Sequence, residues 1–576
     1  MGFIDNLVIV AYFVLVIGLG VWYSSKASKN LEAFFLGGKS MHWLALAMSG
    51  SVSTFDITGT MWIVSMLFVL GMRSMWIHWM WGFMMGAFFF SYMGKWVRRS
   101  NVMTAAEWMK TRFGIDRGGK TARTAYAFMA VVTLTSFIGY AFQGIGKFAA
   151  VYLPFDPAAS AIIIIGVTTL YVILGGLYSV VITQVIQTLI LTFAGLMIAV
   201  IAYIRLDPAV MAERLPADWS SILPVWRIES LAGTPHAGYE MFGALVIVWV
   251  LKGLFLNAGG PAQMYDFQFF LASRNPRDAA KLGAAWSFFL IVRWGMAAGI
   301  ALLAMSGLAG IADPEQAMPI VLKQFLPIGL RGVVIAGLLA AFMSTFAATV
   351  NSAASFIVRD FVQPFLPDDV SQSRLVLISR ISTVGVVAAG IGIGYQATSI
   401  AQIWNWIMMA LGAGVIMPNV LRWYWWRMTG WGYATGTVVG IVLSLGALFY
   451  PEAPMYKVFP PIVIGSLAAS VIASVATLPV SKEVLTVFYR TVRPFGVWGP
   501  IRPLAGLTER EAGDPAERPS RMIFNTVVGM IAVTGYYLFP MYLTGHWHVT
   551  AALWLATALA ATAVLGFTWY RYLPDE

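Results

Sequence analysis

Long apolar runs alternate with short polar breaks along nearly all of the 576 residues. A helix needs about 20 apolar residues to cross a hydrocarbon core ~30 Å thick. That rule predicts an all-α, polytopic membrane protein of about fifteen spans, or fourteen on a stricter count of the C-terminal pair. They fall near 5–24, 41–71, 75–97, 120–151, 157–175, 178–204, 239–272, 280–306, 331–362, 374–395, 398–427, 431–450, 458–479, 522–541 and 549–571. Two of these are too long to cross once at ~1.5 Å per residue. Both also carry polar or helix-breaking residues midway: Ser49 to Asp56 in the second span, Asn257-Ala-Gly-Gly-Pro261 in the seventh. Each is the first of a possible five-helix unit, spans two to six and seven to eleven. Interrupted helices at matching positions of two halves predict an inverted-repeat transporter with its binding site at the breaks.

Polar residues inside the spans narrow the chemistry. The stretch Gly337–Phe356 carries five hydroxyls, on Ser344, Thr345, Thr349, Ser352 and Ser355. Ser344 and Thr345 are neighbours about 100° apart on a helix, so both can border one crevice. Hydroxyl oxygens suit a hard cation, although small and hydroxylic residues also serve as ordinary glue between membrane helices. Asp56 and Lys252 fall at or near the breaks, and ionisable residues at that depth are functional candidates. They either bind solute or neutralise each other; Arg293 is expected to be structural. Asn257, His78, Trp76, Gln263, Gln268, Trp404 and Asn405 complete the candidate lining.

Composition confirms the class. The chain is 59% hydrophobic and 11% charged, where a soluble domain carries nearer ~25% charge. The start lacks a basic leader, so its apolar run is expected to continue into a spanning helix. With the N-terminus outside, 27 of the 37 lysines and arginines lie on inner loops and helix ends. The net charge of +11 is thus the positive-inside bias. It implies contact with membrane lipid, argues against nucleic acid, and carries no signal of oligomeric state. Absent cysteine excludes disulfides and thiolate sites, and neither a phosphate-binding loop nor metal-type histidine spacing is present. Residues 481–521 form a basic, proline-rich inner linker whose aromatics, in Phe488 to Pro500, are expected at the headgroup level.

Several segments resemble the sodium/solute symporter family, related to the sodium/galactose and sodium/proline transporters. They are FFLGGKSMHW (Phe34 to Trp43), TAAEWMKTRFG (Thr104 to Gly114), GGLYSVVITQVIQ (Gly175 to Gln187) and the hydroxyl-bearing helix that runs on to Arg359-Asp360. The resemblance covers about residues 5–480. It implies the five-plus-five inverted repeat of the leucine-transporter fold. It also implies a sodium site made from the carbonyls of Ser49, Val52 and Ala341 and the hydroxyls of Ser344 and Thr345. Asp56 aligns with an amide that contacts sugar in the galactose carriers, and Gly259 and Gly260 replace their aromatic pair, so the pocket should differ. A second cation site found in some members would need a carboxylate at Gln184 and hydroxyls at Ala347 and Ala348. All three ligand positions are lost.

The expected protein is therefore a sodium-coupled secondary symporter, not an enzyme, in a bacterial inner membrane. Sodium would be its coupled ion, one per cycle. A small polar solute, most simply a sugar or sugar-derived acid, would be the cargo, and a membrane solute sensor with the same core is the alternative. The expected organisation is a flanking helix and loop (1–40), a first repeat (41–204), an outer loop (205–238) and a second repeat (239–427). Two flanking helices (428–480), the linker (481–521) and a C-terminal helix pair (522–576) follow.

Overall fold

The computed structural model describes residues 2–24, 41–79, 84–102, 105–174, 179–260, 266–307, 310–367, 371–450 and 453–574. Within them the chain is helical, with only two isolated β-bridges, Met41 to Ser273 and Trp425 to Val497. Among the described residues, eleven helices are long and apolar enough to cross a membrane. Shorter apolar helices include Trp43–Ser53 and Phe242–Ala258, which belong to the two spans expected to break.

Local side-chain chemistry accounts for the first break. At the end of α1 (Trp43–Ser53), the Ser53 and Thr54 hydroxyls donate back to the Gly50 and Ser51 carbonyls at 2.6 and 2.8 Å. Such bonds compete with the helical ladder. Two residues later the Asp56 carboxylate accepts from the Gly59 amide at 3.0 Å, an N-cap that starts α2 (Ile57–Leu70). The run Ser-Thr-Phe-Asp thus closes one helix and opens the next, leaving irregular backbone at membrane depth, which is tolerated only where protein or a cavity surrounds it.

The second break uses glycine. Past α4 (Phe242–Ala258), Gly260 has φ +104°, where a side chain would be strained. Trp423 holds this turn by donating its Nε1–H to the Gly259 carbonyl at 2.9 Å. Residues 261–265 lie outside the described set.

Four more helices gather around the breaks. α3 (Arg117–Ala150) and α6 (Leu330–Phe356) pack against each other and against α2; α5 (Ile291–Gly307) also lies on α2, and α7 (Gly412–Tyr424) on α4. Arg112, fully buried, donates to the Arg422 and Trp425 carbonyls at 2.8 and 2.9 Å. It places a cation at the negative, C-terminal end of α7.

The linker corrects one expectation. Its aromatics, expected to face lipid headgroups, are buried in protein instead: Phe488 and Trp498 are 0% and 2% exposed. The helix Lys482–Val492 turns Leu485, Phe488, Tyr489 and Val492 inward, an amphipathic stripe that needs a partner. That partner is protein. Trp498 donates to the Trp423 carbonyl at 3.0 Å, and Val497 to that of Tyr424 at 2.7 Å. Glu517 pins the far end to Arg99 at 2.8 Å and Lys95 at 3.4 Å. Burial pushes the Glu517 carboxyl up, but these two charges outweigh it and hold it down to about 2.

Candidate functional site

A cavity opens where the first break meets α3, α5 and α6. Its polar walls come from Thr54, Asp56 and Thr58 around the break, Tyr140 on α3, Arg293 on α5, and Thr345 and Thr349 on α6. The charges are paired. Asp56 Oδ1 lies 3.5 Å from Arg293 Nη2, and Arg293 Nη1 donates to the Thr54 carbonyl at 2.5 Å. The guanidinium also stands 5.2 Å from the Phe55 ring centroid. One arginine therefore binds both the carboxylate and the freed backbone of the broken helix. Gly59 gives the space: a Cβ there would come within 2.4 Å of Asp56 Oδ1 and 2.9 Å of Arg293 Nη2.

This arrangement corrects two sequence expectations. Arg293 is part of the pocket and is the ionic partner of Asp56. Lys252, expected either to bind solute or to neutralise Asp56, stands 5.0 Å from the Trp249 ring and lines a second cavity between α4 and α7. Span position sets a residue's depth but not the direction it faces, and α4 turns Lys252 toward α7.

Other candidates divide in the same way. His78 and Trp404 line the first cavity. His78 is 1% exposed, packs edge-on against Trp62 at 4.6 Å, and neither ring nitrogen has a hydrogen-bond partner among the described residues. Trp404 lies 5.0 Å from the Tyr140 ring and 5.3 Å from Trp62. Asn405 bonds the Tyr239 hydroxyl at 3.0 Å instead of lining the cavity, and Trp76 bonds the Ile222 carbonyl at 2.7 Å. Asn257 donates to the Gly253 carbonyl of its own helix at 2.8 Å. Gln263 and the Gln268 side chain lie outside the described residues. Tyr140 and Phe137 were not anticipated; only their place on a long helix opposite the break marks them.

α1 and α6, which carry the residues expected to hold sodium, touch one another. Ser49, Val52 and Ala341 are at most 2% exposed and Ser344 8%. The Thr345 hydroxyl lies 3.4 Å from the Ser53 carbonyl, beside Val52, and opens onto the cavity. The Val52 carbonyl accepts the Phe55 amide at 3.0 Å and keeps a second lone pair. Neutral oxygens of this kind fit a hard monovalent ion. Among the described residues no cluster of three His, Cys, Asp or Glu could hold another metal.

A model of the sodium:solute symporter family matches residues 34–440. The chain belongs to the sodium:solute symporter family. Its relatives in the family are transporters, not enzymes. It is 26% identical over 491 residues to the sodium/glucose cotransporter of Vibrio parahaemolyticus, covering 78% of this chain and 86% of that one. The osmoregulated proline transporter OpuE of Bacillus subtilis is 20% identical over 484 residues, covering 81% and 94%. The sodium/proline symporter of Staphylococcus aureus (strain JH9) is 23% identical over 503 residues, covering 82% and 93%.

The solved structure of a Na+-coupled sialic acid symporter in a substrate-bound outward-open state superposes with TM-score 0.62 at 17% identity, covering 83% of this chain and 99% of that one. It shows the shared fold. As a family member the protein is a multi-pass membrane protein of sodium-coupled solute symport. Of the segments that carried the resemblance, Phe34 to Ser40, Thr104 and Gly175 to Tyr178 lie outside the described residues, as do the side chains of Thr183 and Gln184.

Proposed function

We propose that the protein imports a sugar or sugar-derived acid together with one sodium ion, by alternating access of two five-helix units, residues 41–204 and 239–427. The observation that carries this reading is the cavity at the α1–α2 break, where the Asp56–Arg293 pair faces Thr345. Few, well-placed polar groups among aromatic walls are what a small-solute site requires. Asp56 accepts hydrogen bonds from solute hydroxyls, Arg293 donates to the solute, His78 donates or accepts, and Trp404 and Tyr140 offer faces to its apolar side. Sodium bound by Ser49, Val52, Ala341, Ser344 and Thr345 ties α1 to α6. Filling that site favours the arrangement in which the two helices touch. An ion shifts a conformational balance only by its differential affinity for the two states, and this contact supplies the difference.

The single-sodium stoichiometry rests on Ala347 and Ala348, whose methyl groups replace the hydroxyls of a second cation site, and on the neutral Gln184. A weakly coordinated cation does not recover its dehydration cost in a low-dielectric interior. The charge bias supports an N-terminus outside and a linker inside, and the membrane we propose is the inner membrane of a bacterium.

Proteoliposomes with an imposed inward sodium gradient provide the test. A solute chosen because it raises the melting temperature of the purified protein in sodium should accumulate, with about one charge moved per neutral molecule. No sodium-dependent uptake of any stabilising solute would defeat the proposal. A charge ratio near two would defeat the stoichiometry alone. A sensor would bind the solute and move none.

A further inference from the structure

The linker, residues 481–521, joins two sides of the molecule. It leaves the helix Met455–Ala476, which packs on α7. It ends at Glu517, whose carboxylate is bound to Arg99 and Lys95 of the first unit. Its middle touches both units at once. Phe495 meets the first unit at the rings of Trp96 and Tyr92, 5.0 and 5.1 Å away, and the second at Tyr424, 5.3 Å away. Beside it, Val497 and Trp498 donate to the carbonyls at the end of α7, and Val497 accepts the Trp426 amide at 3.1 Å. Arg112 of the first unit adds to this junction. Its guanidinium stands 5.1 Å from the Trp498 ring while it bonds the Arg422 and Trp425 carbonyls. The two units also meet directly, through a bond of 2.8 Å between the Tyr92 and Tyr424 hydroxyls.

The seat of this segment is closely fitted. Gly496 has φ +121°, and a Cβ there would come within 2.5 Å of the Tyr424 carbonyl oxygen. Glycine lets the chain take that turn and lie so near. The two attachments also differ in kind. Glu517 is held by charge, whereas Val497 and Trp498 are held by neutral hydrogen bonds, which are weaker than charge-assisted ones and better suited to repeated release. From these contacts we propose that Phe495 to Trp498 form a strap that latches the linker-side ends of the two units together. The path on that side opens only when the strap lets go of α7. The strap rests on the import reading above, in which the two units part on one side at a time. Sodium bears on the same arrangement, because α1 and α6 touch while the strap is seated. An ion that favours the α1–α6 contact therefore favours the seated strap.

Two measurements on the full-length protein test this. The first is amide hydrogen exchange over residues 494–502 in sodium chloride and in potassium chloride. Exchange should be roughly five-fold or more slower in sodium, and fast in both salts in Gly496→Val. Equal exchange of the wild type in the two salts overturns the strap and leaves the linker as fixed packing. The second measurement locks the strap. The chain has no cysteine, and Trp425 and Val497 pair as a parallel β-bridge. Paired strands lie about 4.7–4.9 Å apart, within the Cα separation a disulfide spans. The monodisperse double variant Trp425→Cys/Val497→Cys is reconstituted, oxidised, and its crosslink verified by mass spectrometry. Uptake of radiolabelled glucose or glucuronate under a sodium gradient should fall roughly ten-fold or more and return on reduction. Neither single variant should respond to oxidation. Undiminished uptake by verified crosslinked protein also overturns the strap. Uptake absent from wild-type protein counts against the import reading alone, and hydrogen exchange then decides the strap.

Discussion

The two cavities share Phe137 and yet treat charge in opposite ways. In the first, Asp56 and Arg293 stand 3.5 Å apart and the break backbone joins the pair through Thr54. In the second, Lys252 and Arg422 both line the wall. A membrane interior penalises unpaired charge by about 2.5–3.5 kcal/mol on insertion scales. The first cavity meets that penalty internally and can stand ready for a neutral or zwitterionic guest. In the second, ring faces stand against the cations, Trp249 at 5.0 Å from Lys252 and Trp108 at 4.6 Å from Arg422. The difference teaches that a charge at membrane depth has two distinct meanings, and that the partner's identity separates them.

The largest test of that contrast is a pair of double-mutant cycles on thermal stability. Arg293→Met strands Asp56, and breaking such a pair costs about 3–5 kcal/mol. Adding Asp56→Asn should restore a good part of the loss. The cycle of Asp56→Asn with Lys252→Met should instead be additive within about 0.5 kcal/mol, as for sites with no shared partner. Strong coupling in that second cycle would merge the two cavities electrostatically and erase the distinction drawn between them.

Next in size is the sodium face of the first cavity. Ser344→Ala and Thr345→Ala each remove one oxygen from a charged ligand's shell, worth about 1.5–3 kcal/mol. Sodium affinity should weaken roughly 10- to 100-fold for either change, while melting in sodium-free buffer stays near wild type. Sodium-dependent fluorescence titration gives the readout, and near-normal affinity in the double variant would remove both residues from the site.

These cases also show where sequence was informative. The helix breaks were legible because hydroxyl and carboxylate side chains cap helices by local bonds, and Ser53 to Asp56 or Asn257 to Gly260 advertise them within a few residues. The adjacency of Ser344 and Thr345 was legible by helical period. The partner of Asp56 was not, because Arg293 is 237 residues away and only the packing of α5 on α2 brings it near. Hydropathy fixed the depth of Lys252 and left its facing open. The linker aromatics misled for a related reason: Trp and Tyr near a membrane end suit the headgroup level, but Trp498 finds its partner in the Trp423 carbonyl at the end of α7.

A smaller effect is expected at Gly59, which lets carboxylate and guanidinium approach the helix start. Gly59→Ala places a methyl 2.4 Å from Asp56 Oδ1, and overpacking of this order costs about 1–3 kcal/mol. Solute affinity should fall while sodium affinity, set on α1 and α6, changes little. Equal loss of both would mean that the pair and the ion site respond as one unit.

The smallest stability effect, and the most direct probe of the boundary itself, is at Phe137. Its ring lies 6.3 Å from Trp404 and 6.2 Å from Tyr140, edge-on to both, and it is the residue on α3 whose side chain meets both cavities. The ring is only half-buried, so Phe137→Ala should cost less than the ~3–5 kcal/mol typical of a fully packed aromatic. Its functional signature should be out of proportion to that cost. With the partition removed, the Asp56–Arg293 pair and the Lys252–Arg422 pair face one continuous space, and solute or ion can pass between them without the helices rocking. Sodium-driven accumulation in proteoliposomes should therefore drop, while solute efflux without sodium rises; Phe137→Leu, which keeps most of the bulk, should show both effects weakly. If Phe137→Ala concentrates solute as steeply as wild type, the ring is not the divider. The separation between the neutral and the positive cavity would then have to come from movement of α3 or α6 rather than from a side chain.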